Sequence, residues 1–426
     1  MVDDARRTLG VPSLAALVAA NMIGAGVFTS SGFALADLGS PKWVLIAWAL
    51  GGLLAVLGAL SYGALAMRIH GSGGEYLFLS NSLHPAVGFL AGWVSILAGF
   101  TGAIALAAEA AQAYAAPWLP EDLAPDWIGS AAIVAAGLIH ARGVHIGAWV
   151  QNGVVTIKVL LLVALVVVGW SHLPANPAQA AVAPAPAAFV VTMMWISLSY
   201  SGWNAAVYIG GEARQGRRTL PRAMLWATGL VTALYLALNA IFVYSAPIAE
   251  LAGKRDIAAV AARLLAGPGL ESLVRVILLL ALCTSISSMV MIGPRVLARM
   301  AQDGWLPRAL AFQGEVPRAA IWTQVALAIL VLWSSGLRAQ LTNLGWILGL
   351  FTALAVLGLL RLRQREGAQA VPIPGGVVVP VLFLLATLTL TVAMLVVGSG
   401  QLLPSLGILA SGCVVYALRH GAARRA

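Results

Sequence analysis

Asn21-Met22-Ile23-Gly24-Ala25-Gly26-Val27-Phe28 lies in the middle of the first long apolar run, which begins near residue 11. Glycine weakens a helix by about 1 kcal/mol relative to alanine, so this pair of glycines softens the run where a membrane helix would be deepest. Close packing of small residues explains such a pair equally well. A second weak point favours a break. Trp195-Ile196-Ser197-Leu198-Ser199-Tyr200-Ser201-Gly202-Trp203-Asn204 sets a polar cluster with a glycine inside another apolar run, five runs later. Interruptions in the first and sixth runs are what two inverted five-helix repeats produce. Non-helical backbone at that depth is tolerated only where it lines a cavity or binds something.

The surrounding composition sets the frame. The chain has 426 residues, 61% apolar and 9% charged, against roughly 25% charged in a soluble domain, with a mean hydropathy of +0.92. A water-soluble enzyme is excluded. A spanning helix needs about 20 mostly apolar residues, and the apolar runs predict an all-α integral membrane protein. Twelve helices are expected, starting near residues 11, 43, 84, 128, 145, 186, 222, 271, 318, 341, 377 and 402. The first is read as a retained span, with Arg6-Arg7 as a basic anchor before it. The Pro/Ala-rich stretch 171–187 and the segment 247–270 are read as the longer loops.

Alternating loops place Arg6, Arg7, Arg68, Arg142, Arg214, Arg217, Arg218, Arg222, Arg295, Arg299, Arg308, Arg318, Arg361, Arg363, Arg365, Arg419, Arg424 and Arg425 on one side. Only Lys42, Lys254, Arg255, Arg263 and Arg338 fall on the other, with Arg275 near an outer end and Lys158 within a span. The positive-inside rule then puts both termini in the cytoplasm of a multi-pass protein of the cell inner membrane. The net charge of +10 is therefore topological. Its residues are scattered singly, with none of the clustering that nucleic acid requires. Cys283 and Cys413 lie far apart in apolar runs, which indicates neither a disulfide framework nor a metal site.

Broken helices also specify a ligand. Amides freed at the start of a half-helix suit a carboxylate, and carbonyls freed at the end of one suit an ammonium. Together they describe a site for an α-amino acid.

At these residues the chain resembles the amino acid-polyamine-organocation (APC) superfamily, in particular its L-type and related bacterial amino acid permeases. The likeness rests on residues 21–28, on Gly71-Ser72-Gly73-Gly74-Glu75-Tyr76, on Ser199-Tyr200-Ser201-Gly202-Trp203-Asn204, and on Arg217-Arg218-Thr219-Leu220-Pro221-Arg222. It covers essentially the whole chain as one transporter domain. The resemblance implies a LeuT-like 5+5 inverted repeat (11–170 and 186–361) with broken helices 1 and 6, two further helices (377–419), and alternating access. It implies that amides of Gly24, Ala25 and Gly26 hold the substrate carboxylate. Carbonyls of Met22, Ile23, Leu198 and Ser201 would accept from its amine, with Ser199, Tyr200 and Gly202 completing the site. Many relatives carry a bulky aromatic gate where this chain has Leu198. Trp195, Tyr200 and Trp203 are the alternative gates.

Lys158 stands midway through the fifth run. A charge there costs about 2.5 to 3.5 kcal/mol on insertion scales and should face the bundle interior with a partner. The resemblance places it where sodium-coupled members hold their cation, against carbonyls near Ile23 and a hydroxyl of Ser285, Ser287 or Ser288. An ammonium there replaces sodium, which implies sodium-independent exchange, facilitated diffusion or proton-coupled uptake. Glu75 and Glu212 fall near Arg68 and Arg214, Arg217 and Arg218, as an inner charged gate or as solvated loop charges. Glu109, Asn343 and Trp346 read as outer helix-end residues.

With no mid-membrane carboxylate to pair a basic side chain, neutral L-amino acids are the expected substrates; polyamines or cationic amino acids are the alternative, and a non-transporting sensor on the same fold is another. Neither cofactor nor metal is expected. Asp3, Asp4, Asp37, Asp122, Asp126, Asp256 and Asp303 lie in loops, tails or helix ends, unsuited to chelating magnesium at depth. His70, His84, His140, His145, His172 and His420 lie near ends, unsuited to axial haem ligation. Membrane lipid, an amino acid and protons are the expected partners, and the protein is expected to be a monomer or homodimer. A protease-cleavable tag placed after Ala426 should resist external protease in right-side-out vesicles; cleavage would invert the topology.

Overall fold

The computed structural model describes residues 9–24, 26–120, 126–174, 183–334, 345–397 and 402–423. Asp3, Asp4, Arg6, Arg7, Ala25, Asp122, Arg338, Asn343, Arg424 and Arg425 lie outside the described residues, as do the side chains of His145 and His420.

Regular structure among the described residues is helical. α1 (Val11–Met22) and α2 (Gly26–Leu38) form the first run, bent by 41° between them. α3 (Pro41–Arg68) and a short α4 (Glu75–Ser82) follow. The third run comprises α5 (Pro85–Val94), a π-helical stretch (Ser95–Gly102) and α6 (Ala103–Ala115). Next come α7 (Asp126–Arg142), α8 (Val144–Ser171), α9 (Pro186–Ser199) and a 3-10 segment (Ala205–Glu212). α10 (Gly216–Tyr244), α11 (Ile248–Leu251), α12 (Ile257–Gln302), α13 (Arg318–Trp333) and α14 (Gly345–Glu366) continue the chain. α15 (Val378–Val397) and α16 (Leu403–Ala423) end it.

A helix meets each of the twelve apolar runs. Among the described residues, seven helices are long and apolar enough to cross a membrane, or eight spans with the bent α1–α2 pair. α9, α13 and the Leu403–Arg419 part of α16 are shorter apolar helices. The segment 247–270 corrects the sequence reading: it holds α11 and the start of α12 rather than a loop. Gly267-Pro268-Gly269 looks like a loop, but the apolar stretch from Ile257 winds into a helix. That helix kinks at Ala266 and Gly267 and resumes at Pro268, whose missing N–H suits the first turn of a new helical stretch. Arg295, assigned above to a loop, is buried inside α12.

Four helices of 11–170 pack on the helix of equal rank in 186–361: α2 lies on α9, α3 on α10, α6 on α12 and α7 on α13. α8 shows how polarity is arranged. Gln151, Lys158, Leu162 and Leu165 lie on its buried stripe, while Ile157, Leu160, Val163 and Val167 are exposed. An apolar face outside and polar groups inside is the pattern of a helix in lipid.

The link from α2 to the 252–254 turn leaves no space for a side chain at residue 32. Gly253 N–H donates to the Gly32 carbonyl at 2.8 Å, and a Cβ on Gly32 would fall on the Lys254 carbonyl. Gly32→Ala must push backbone from backbone. It should cost about 1 to 3 kcal/mol, read as a lowered unfolding temperature in detergent.

Candidate functional site

The first break is a turn, not a simple kink. Ile23 adopts φ −77° and ψ 81°, and Gly24 N–H donates to the Met22 carbonyl at 2.8 Å, which makes an inverse γ-turn centred on Ile23. α2 starts three residues later, and its first-turn amides have no partner within the helix. The second break begins where α9 ends at Ser199. Ser201 N–H donates to the Leu198 carbonyl at 3.0 Å, and Gly202 takes φ +106°, a conformation that favours glycine.

The two breaks interlock. A Cβ on Gly26 would stand 2.8 Å from Ser199 Cα, and one on Gly202 would stand 2.9 Å from the Asn21 carbonyl carbon. Ser30 and Ser199 share a hydroxyl hydrogen bond at 2.8 Å. Tyr235 of α10 clamps both ends, donating to the Met22 carbonyl at 2.6 Å and to the Ser199 carbonyl at 3.3 Å. Asn21 Oδ1 is buried beside this junction with no hydrogen-bond partner.

Met22, Ile23, Gly24, Gly26, Ser199 and Gly202 are thus gathered at one junction, with Leu198 and Ser201 forming its next turn. In this conformation the Gly24 amide and the Met22 and Leu198 carbonyls already have partners within the chain, while Ala25 lies outside the described residues. The aromatic gate candidates point elsewhere. Tyr200 donates to the Trp48 carbonyl at 3.0 Å and packs on Trp48 and Tyr235. The Trp203 ring meets Tyr62 at 4.8 Å and also packs on Phe383. Trp195 is 39% exposed. Trp346 is buried and its indole N–H has no hydrogen-bond partner.

Lys158 is fully buried and donates to Thr284 Oγ1 at 2.8 Å. The expected serine hydroxyls are used otherwise. Ser287 bonds Gln151 Oε1 and the ring of His140, each at 2.8 Å. Ser288 donates to the Leu17 carbonyl at 3.3 Å, and Ser285 lies near Gly24. The run Thr284-Ser285-Ile286-Ser287-Ser288 winds around α12, so its hydroxyls face different neighbours: Thr284 and Ser287 both meet α8, and it is the threonine that takes Lys158. His140, read as a helix-end residue, is buried by this network.

The two glutamates are also repartnered. Glu212 is buried against Arg295, at 2.6 and 3.0 Å from its two nitrogens, instead of the nearby arginines 214, 217 and 218. Arg295 also donates to the Met291 carbonyl. The Glu212 carbonyl accepts Leu9 N–H at 3.0 Å, so the segment before α1 is tied to the same place. Arg68 pairs instead with Glu366 at 2.6 Å. Glu75 is buried and accepts from Tyr62 at 2.6 Å and Thr352 at 3.1 Å. Sequence reasoning missed Tyr235, Thr284 and Arg295. The available signals were a hydroxyl aromatic amid the apolar run of α10, a threonine beside the serines already singled out, and an arginine one residue after a proline in a helix that runs on.

A bundle of apolar helices that buries its charges around two interlocked helix breaks has the build of a membrane carrier. The amino acid permease family model matches residues 9–418, and the chain belongs to that family of the APC superfamily, whose members are transporters of amino acids and not enzymes. It is 25% identical over 410 residues to the human (Homo sapiens) b(0,+)-type amino acid transporter 1, covering 92% of this chain and 83% of that one. It is 24% identical over 398 residues to the human Large neutral amino acids transporter small subunit 2, covering 89% and 74%. With the Serine/threonine exchanger SteT of Bacillus subtilis (strain 168) it shares 27% identity over 379 residues, 85% of each chain.

The Arg295–Glu212 pair joins α12 to the far half of the broken sixth helix. Arg295→Met leaves a buried, unpaired carboxylate and should cost about 3 to 5 kcal/mol. The double variant Arg295→Met, Glu212→Gln should recover much of that in a detergent thermal-unfolding assay.

Proposed function

We propose that this permease carries neutral L-amino acids across the cell membrane by alternating access and without sodium, as an exchanger or a proton-coupled permease. The interlocked breaks at Gly26–Ser199 and Gly202–Asn21 carry this reading. They combine the amide-rich start of α2 with the carbonyl-rich end of α9 and an unpaired acceptor, Asn21 Oδ1. That is chemistry for the carboxylate and ammonium of one zwitterion. The residues proposed to bind it are those of 22–26 and 198–202. Tyr235 and the γ-turn at Ile23 hold backbone groups that substrate would compete for, so binding would rearrange this junction.

Neutral substrates follow from the carboxylates. Glu75 and Glu212 both have partners away from the breaks, which leaves neither to pair a basic side chain. Exchange accords with what the SteT relative is named for. The Lys158 side chain, held on Thr284 beside the stretch of α12 that reaches Gly24, stands where the family resemblance puts the cation of sodium-coupled members, and this supports independence from sodium. Residues 11–170 and 186–361 are proposed as the two repeats that rock, with 377–419 added outside them and both termini cytoplasmic.

The test is uptake of a radiolabelled neutral amino acid panel into proteoliposomes, with and without preloading and with sodium replaced by choline. Saturable uptake that ignores sodium and is raised by preloading, and that Lys158→Met abolishes, is expected. Strong sodium dependence would overturn the role of Lys158. Binding without any flux would favour a sensor.

A further inference from the structure

Glu75 opens α4 at a place where a charge is hard to keep. It is 3% exposed, and among the described residues no lysine, arginine or histidine lies within salt-bridge distance of its carboxyl. Its partners are hydroxyls from two other helices, Tyr62 of α3 and Thr352 of α14, both donating to Oε1. Tyr208 of the 3-10 segment is the other titratable group facing it, and the Tyr208 hydroxyl meets Ser95 of the π-helical stretch and Asn204. Arg299 of α12 bonds Asp303, just past the end of that helix, at 3.0 Å, and Asp303 takes the hydroxyl of Tyr76. Burial pushes the Glu75 carboxyl above the usual carboxylate range, against the two hydroxyl donors.

A cavity of about 700 Å³, bordered by Arg217, Arg218 and Arg299, reaches Gly71, Ser72, Gly210 and Gly211. Between those two glycine stretches Tyr208 lies flat on Gly74. Gly74 has φ +57°, and any Cβ there would collide with the Tyr208 ring. Gly73 N–H donates to the Tyr208 carbonyl at 3.2 Å. The ring thus packs on the glycine that leads into Glu75, two residues along the chain from glycines that line the cavity. Tyr208 belongs to the far half of the broken sixth helix, the half that also carries Glu212. At the other end of that segment, Trp203 packs on Tyr62, the hydroxyl donor to Glu75. Both ends of one segment thus bear on one carboxyl.

The geometry points to Glu75 as a proton-binding residue of the transport cycle, neutral while Tyr208 covers Gly74 and ionised when movement of residues 203–212 admits water from the arginine-rich face. This rests on the alternating-access reading above. When dry, the neutral acid is favoured because nothing compensates a buried anion. When wetted, two hydroxyl donors and the first turn of α4 suit the carboxylate. The closed state holds its proton to higher pH than the wetted one, so closure takes up a proton. Closure is favoured as pH falls and is opposed as pH rises through the closed-state value.

Radiolabelled serine exchange in proteoliposomes should slow several-fold as the pH on the arginine-rich face is raised. Glu75→Gln, a neutral isostere, should exchange at the acidic-limit rate at every pH, and Glu75→Asp should keep the slope. A Glu75→Gln variant with the wild-type profile overturns the proposal. A second measurement needs neither flux nor a variant. A hydrophobic carbodiimide, which attacks protonated carboxyls, should label Glu75 in the closed wild-type protein at acidic and neutral pH and less at alkaline pH, mapped by peptide mass spectrometry. Absent or pH-independent labelling also overturns it. Wild-type protein without flux would defeat the transport reading, while the labelling would still decide the state of Glu75.

Discussion

Everything in this structure answers to one constraint: a helix interrupted inside an apolar slab frees backbone amides and carbonyls that lipid cannot satisfy. The chain meets it by placing its two interruptions against each other. Gly24 N–H turns back on Met22, Ser201 N–H turns back on Leu198, and Tyr235 supplies a hydroxyl to carbonyls from both breaks. Glycine at 26 and 202 is what lets the backbones meet, since a side chain at either would separate them. Asn21 Oδ1, buried beside this junction, has no hydrogen-bond partner.

The second constraint is charge. Four ionisable groups drawn into the bundle among the described residues show how their burial is met. Lys158 rests on a threonine hydroxyl, Arg295 and Glu212 neutralise one another through a two-nitrogen contact, and Glu75 is served by hydroxyls alone. Such groups are costly in a membrane and tend to mark paths for substrate or protons. Here two of them, Glu212 and Glu75, bear on the same segment of the broken sixth helix, which links the backbone interruption to the charges that hold it.

Much of this was legible beforehand. The twelve apolar runs, the break at residues 21–28, the break at residues 199–204 and the inward orientation of Lys158 each follow from local composition, because lipid imposes one rule on every exposed surface. Partner choice was not legible. Glu212 ignores Arg214, Arg217 and Arg218, its neighbours in sequence, and meets Arg295, which is 83 positions away. Thr284 rather than its neighbouring serines meets Lys158, because the turn of α12 sets Thr284 level with Lys158 and Ser287 level with Gln151 along α8. The early start of α12 was hidden by Gly267-Pro268-Gly269, which ends one helical stretch and begins the next.

The sequence by itself determined that the chain is a helical membrane protein, where its helices weaken and that Lys158 must turn inward, since these depend on hydrophobicity and backbone propensity residue by residue. Only the tertiary structure decided that the two weak points touch, that Tyr235 clamps them, and that Tyr208 packs on Gly74 beside Glu75. Those contacts join residues from tens of positions to more than two hundred apart, and only the packing of helices distant in sequence brings them within reach.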